Sequence, residues 1–212
     1  STQGVSSAAS DVYKRQSYSG MNGAQVAQRV LEAAGIYDVT VRHVSGNLTD
    51  HYDPSTKTVN LSDPVYNSYS VAALGVAAHE CGHAIQHAKN YAPLSLRSAL
   101  VPVANFGSML AWPLILIGLF INGRSSTLII DLGIVLFSAA VLFQLVTLPV
   151  EFDASRRALV MLRTQNILSD DELKNTRKVL KSAAFTYVAS AAAAILQLLR
   201  IILLVGGRRD DR

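Results

Sequence analysis

Residues 98–148 contain only two charged groups, Arg124 and Asp131, and nothing else in the sequence constrains the fold as much. At 1.5 Å per helical residue, the apolar run from Ser98 to Ile121 reaches about the 30 Å thickness of a bilayer's hydrocarbon core. Thr127 to Leu148 is a second apolar run of similar length. Between them, Asn122-Gly123-Arg124-Ser125-Ser126 reads as a tight polar turn. Two adjacent runs this long and this uncharged point to a membrane hairpin, not to a buried helical pair of a water-soluble fold. Pro102 and Pro113 are kink sites in the first run. Ala183 to Val205 is apolar again but carries Gln197 and Arg200, and it reads either as a third span with the arginine reaching toward the interface, which is favoured, or as a helix packed on the polar domain.

The rest of the chain is polar enough to fold in water. A helix is expected from near Asn22, with Val26, Val30 and Leu31 on one face and Gly35 at its end. Strand-like pieces follow at Val39 to Val44, Leu48 to Tyr52 and Thr58 to Leu61, with turn signals at Gly46-Asn47 and Asp53-Pro54. They suggest a small antiparallel sheet. Ser62-Asp63-Pro64 opens a helical region, and Ser70 is placed to cap a helix from 71 to about 89. Residues 150–182 are amphipathic and basic, with a helix start at Ser169-Asp170-Asp171-Glu172. Ser1 to Gln16 is Ser-rich and aperiodic, has the look of non-native or disordered sequence, and is set aside.

The net charge is +4, but the basic residues do not interleave with aromatics, so a nucleic-acid surface is a poor reading. Lys89, Arg97, Arg156, Arg157, Arg163, Lys174, Arg177, Lys178 and Lys181 share one side of the membrane in this arrangement. Arg124 and, with a third span, Arg208, Arg209 and Arg212 fall on the other. That bias places the polar domain in the cytosol. With one cysteine, Cys81, no intramolecular disulfide can form.

The chemistry is concentrated in Ala78-His79-Glu80-Cys81-Gly82-His83, on a predicted helix. Residues four apart differ by about 40° around a helix axis, so both imidazoles face one Zn2+ ion. Glu80 stands beside them, able to act as general base on a zinc-activated water without binding the metal. Cys81 points away from the histidines and reads as a small buried residue.

A catalytic zinc takes three protein ligands and keeps one position open. Position 89, where an extended motif would carry a third histidine, is Lys89. His87 lies about 12 Å along the axis from His79, too far to share the ion, and reads as a surface residue or a substrate contact. Glu151 is favoured as third ligand. It is one of four glutamates and follows the second apolar run on the same predicted side, just after Pro149, which is placed to reset the helix. Asp153 is the rival ligand, or a partner that orients a histidine. The strand from Lys57 to Leu61 is a candidate edge for a bound peptide.

The segment from Ala77 to His87, the hairpin after it, and Glu151-Phe152-Asp153-Ala154-Ser155 together resemble the neutral zinc metallopeptidases of bacterial membranes, the YugP-like family. Ser19-Gly20-Met21-Asn22-Gly23-Ala24 and Asp50-His51-Tyr52-Asp53-Pro54 are similar to that family as well, so the likeness runs from about Tyr18 to Val205. The resemblance implies a gluzincin-type site with His79, His83 and Glu151 as zinc ligands, kinship with HtpX-like membrane proteases, and a bacterial plasma-membrane location. It also implies a membrane helix ahead of the Ser19-Gly20 region, where this chain has Ser1 to Gln16, and an aspartate four residues after Glu151, where it has Ser155.

The expected fold is therefore an α+β membrane protein. A zincin-like domain (17–97) leads to a hairpin (98–148), then to a second catalytic segment (149–182), a third membrane helix (183–205) and a basic tail (206–212). The expected activity is zinc metalloendopeptidase, acting on protein or peptide substrates that include membrane proteins, with the lipid bilayer as its setting. The alternative is a non-catalytic zinc-binding scaffold, in which the glutamate of the motif would have no task.

Overall fold

The structure is a computed structural model that describes residues 15–121 and 124–210. Most of the N-terminal segment set aside above, and part of the polar turn at 122–126, lie outside the described residues. Among the described residues, nine elements follow in order: α1 (Gly23–Ala33), β1 (Thr40–His43), β2 (His51–Asp53), β3 (Thr58–Leu61), α2 (Asp63–Tyr66), α3 (Val71–Ala88), α4 (Ala92–Phe120), α5 (Arg124–Thr164) and α6 (Asp170–Asp210). The protein is thus a mixed α+β domain with a small open sheet, joined to apolar helices long enough to cross a membrane.

The helix starts obey local chemistry. Asn22 caps α1 by accepting from the Gln25 N–H, and the Gln25 side chain accepts the Asn22 N–H in return. Such a reciprocal cap is worth about 1 kcal/mol. Gly35 ends the helix at φ +74°, a conformation that costs glycine nothing. Ser70 caps α3 through the Ala73 N–H, and the first N–H of α3, on Val71, donates to the Arg15 carbonyl. Ser169 and Glu172 cap α6 reciprocally, and Glu172 also accepts the Tyr18 N–H.

The sheet departs from the antiparallel arrangement expected of it. Its order is β1-β3-β2, with β1 parallel to β3 and only β2 antiparallel. Thr40 lies opposite Thr58 on one side, and Asp53 lies opposite Thr58 on the other. The cause is the path of residues 44–50. Asp63 accepts the Gly46 N–H and Asp50 accepts both the N–H and hydroxyl of Ser62, so the loop is drawn across the C-terminal end of β3. The chain then returns along the far edge as β2. Consequently β3 is central and wholly buried, and it has no free edge for a peptide strand. The open edges belong to β1 and β2.

One compact unit comprises the residues up to Tyr91 together with Val150–Ala184. Its core joins α1 (Val26, Val30, Leu31), β3 (Val59, Leu61), α3 (Leu74, Ala77, Cys81) and α5 (Ala158, Leu162). The second unit holds Ala92–Pro149 and the chain from Phe185 onward. Within it, α4 and the first part of α5 are zipped together by glycines. A Cβ on Gly107 would sit 2.7 Å from the Leu136 carbonyl, and one on Gly133 would sit 3.0 Å from that of Ala111. Small residues that let backbones touch are how helices associate where the surroundings are as oily as their side chains. Phe106, Met109, Leu116, Val135, Leu196 and Leu203 all point outward.

Among the described residues, three helices are long and apolar enough to span a membrane: Ala92–Phe120, Ser125–Thr164 and Asp170–Gly206. The first begins ahead of Ser98, and the third includes the run from Ala183 to Val205. Pro149 does not reset the second, which continues through it. A proline removes only one donor and strains one turn, and the helix carries on through this one.

Candidate metal centre

Two of the three ligands expected from the sequence come from one helix. α3 carries His79 and His83 one turn apart, with ring centroids separated by 4.8 Å and ring planes at 84°. The third comes from α5, which crosses α3 where the motif has Gly82. A Cβ on Gly82 would lie 2.5 Å from the Ala154 carbonyl, so any side chain there pushes the two backbones apart. Glycine at this place lets Glu151, one turn before Ala154, reach the histidines.

Glu151 Oε2 lies 3.3 Å from His79 Nε2 and 3.8 Å from His83 Nε2. One ligand atom from each residue falls within 4.8 Å of the others. Donors about 2.0–2.1 Å from a tetrahedral zinc stand about 3.4 Å from one another, so the spacing suits an ion among them. Two imidazoles and one carboxylate also make a donor set that zinc accepts, and three protein ligands leave one position for water or substrate. The cluster is therefore capable of coordinating a metal ion. Glu151 is 4% exposed. A carboxylate so deeply buried needs a positive partner, which a cation or protonated imidazoles provide.

Burial alone would depress the His83 pKa, but the carboxylates of Glu151 and Glu80 and the Gln86 amide outweigh it, and the net shift is upward. A metal held by the cluster would need the neutral ring, so metal and proton would compete for His83.

Glu80 is buried beside the cluster but outside the triplet, and it makes no hydrogen bond among the described residues. Its carboxylate is uncommitted. Asp153, the rival ligand, is turned away from the triplet. It is held by the guanidinium groups of Arg156 and Arg157 and accepts from Gln86 Nε2 at 3.0 Å. Ser155, which stands where the resemblance implies an aspartate, lies 3.1 Å from His79 Nδ1. His87 is exposed and bonds to the Tyr52 hydroxyl at 2.8 Å, outside the cluster. Cys81 is fully buried in the core, as expected.

Sequence reasoning missed Gln86. It is fully buried and lies 3.0 Å from His83 Nδ1 through its side-chain oxygen. The available signal was its place three residues after His83, which sets the two on one helix face.

The family model described as "Putative neutral zinc metallopeptidase" matches residues 2–206. The chain is 47% identical over 198 residues to "Putative membrane protease YugP" of Bacillus subtilis (strain 168), covering 93% of this chain and 87% of that protein. No solved structure matches.

Proposed function

The chain belongs to the family described as "Putative neutral zinc metallopeptidase", and from that premise we propose that it is a membrane-embedded zinc metalloendopeptidase. The observation that carries this reading is the convergence of His79, His83 and Glu151 beside an uncommitted Glu80. Zinc held by those three side chains would supply a polarised scissile carbonyl and an acidified water. The two histidines and Glu151 orient the attack by fixing where the carbonyl can sit. Glu80 takes the proton as the water oxygen bonds to the carbonyl carbon. It then delivers that proton to the leaving amine as the C–N bond breaks.

A non-catalytic zinc-binding scaffold would need the three ligands only. Glu80 favours the enzyme, because its carboxylate stands beside the cluster with no hydrogen bond among the described residues, and a scaffold would leave it without a task. Substrates are proposed to be proteins in or beside the membrane, since the same chain carries three candidate spans.

Purified protein is expected to hold about one zinc per chain and to cleave an unstructured protein substrate. Removal of zinc by a chelator abolishes cleavage and re-addition restores it. Cleavage that persists in metal-free protein overturns the proposal.

The excess of Lys and Arg on the side of the polar domain supports a cytosolic catalytic face. A cysteine introduced at exposed Ser55 checks it, because the native Cys81 is fully buried and will not compete for the label. A membrane-impermeant thiol reagent is expected to leave Ser55→Cys unlabelled in intact cells and to label it after lysis. Labelling in intact cells reverses the orientation.

A further inference from the structure

We infer that Gln86 is a positioning residue that fixes His83 in the tautomer able to bind metal, and that Val150 and Asp153 are what fix Gln86. A glutamine amide has one acceptor end and one donor end, and its neighbours decide which way it faces. Here Nε2 donates to the Val150 carbonyl at 2.8 Å and to Asp153 Oδ2 at 3.0 Å. A carbonyl oxygen only accepts. Asp153 only accepts as well, because two guanidinium groups hold it ionised. Turning the amide over would set its oxygen against both. With Gln86 fully buried, no water can make good that loss.

The Gln86 oxygen is therefore left facing His83 Nδ1 at 3.0 Å, where it can only accept. His83 must carry its proton on Nδ1. The lone pair of the neutral ring then lies on Nε2, the atom that faces Glu151.

The other histidine is treated differently. His79 Nδ1 meets the Ser155 hydroxyl, which can donate or accept. That contact orients the ring but does not choose its tautomer. The order imposed on the centre enters through His83.

Gln86→Met keeps length and bulk and removes both polar ends. Gln86→Glu keeps an oxygen for His83, and in its protonated form still offers one donor to Val150 or Asp153. Zinc affinity is measured by chelator competition, on variants whose metal-free melting shows that they fold. Gln86→Met is expected to bind zinc roughly 10–100-fold more weakly than the parent, with Gln86→Glu restoring a large part of the loss. Parental affinity in Gln86→Met overturns the inference. Equal loss in both variants overturns it as well, since packing alone would then explain the effect.

Affinity as a readout presupposes the zinc reading proposed above; the tautomer does not. The histidine 15N spectrum of the metal-free parent, at alkaline pH where the ring is neutral, is expected to show His83 protonated on Nδ1. The His83 signal is assigned by its absence in His83→Gln. Protonation on Nε2 overturns the inference whether or not the chain binds zinc, and whether or not Gln86→Met folds. Failure of the parent to bind zinc removes the proposed function and leaves this spectrum to decide.

Discussion

Glu80→Gln is expected to keep its zinc and lose its proteolysis. The amide is nearly the same size as the carboxylate, and Glu80 lies outside the triplet proposed to hold the metal, so zinc content should stay near one per chain. A glutamine cannot take a proton from water or pass one to an amine. General acid–base groups contribute roughly a hundred- to ten-thousand-fold to rate, or about 3–5 kcal/mol of barrier. The loss should fall in kcat while KM changes little, because the group acts on the reacting atoms and not on the bound peptide. Zinc analysis and steady-state hydrolysis on one preparation check both halves. Undiminished turnover removes Glu80 from the mechanism. Loss of zinc together with activity makes it part of the metal site instead.

Glu151→Ala is expected to act on the metal itself. Structural zinc sites bind with about 10–16 kcal/mol over four ligands, so one ligand is worth about 3–4 kcal/mol, a factor of several hundred in affinity. Asp153→Ala is expected to cost nearer tenfold. Asp153 touches no ligand directly, and Gln86 retains the Val150 carbonyl when the carboxylate is gone. Chelator competition on the two variants gives the order, and a larger loss at Asp153 would exchange their roles.

These two carboxylates also show what could be read from the sequence. Helix geometry alone sets His79, Glu80 and His83 together, because all three lie within little more than one turn. Glu151 could be singled out because the pair of histidines demanded another donor and few acids lay on the right side of the apolar runs. Choosing it over Asp153 was a preference only. The two are distinguished by Arg156 and Arg157, which draw Asp153 away from the histidines. Spacing could have flagged Gln86, but its role depends on the Val150 carbonyl, brought to it from more than sixty residues away.

The fold was legible to a similar depth. Caps at Asn22, Ser70 and Ser169 are local chemistry, and they stand where the sequence puts them. The apolar runs declare themselves by length. Strand positions follow from residue type, but strand order does not. Asp50 and Asp63 decide it by seizing Ser62 and Gly46 across the end of β3. Pro149 misleads because its effect on a helix depends on what packs around the turn, and that is not written beside it.

The placement of the ligands has a consequence in time. His79 and His83 are synthesised first, then all of residues 92–149, and only then Glu151. A nascent chain passes through most of its hydrophobic sequence with two of three candidate ligands made and the third still to come. A chain that stalls or is cut before that point carries the motif and cannot complete the centre. The proposed hydrolase, made in this order, is born unarmed, and it gains its candidate metal ligands as a set only after its two longest uncharged runs have left the ribosome.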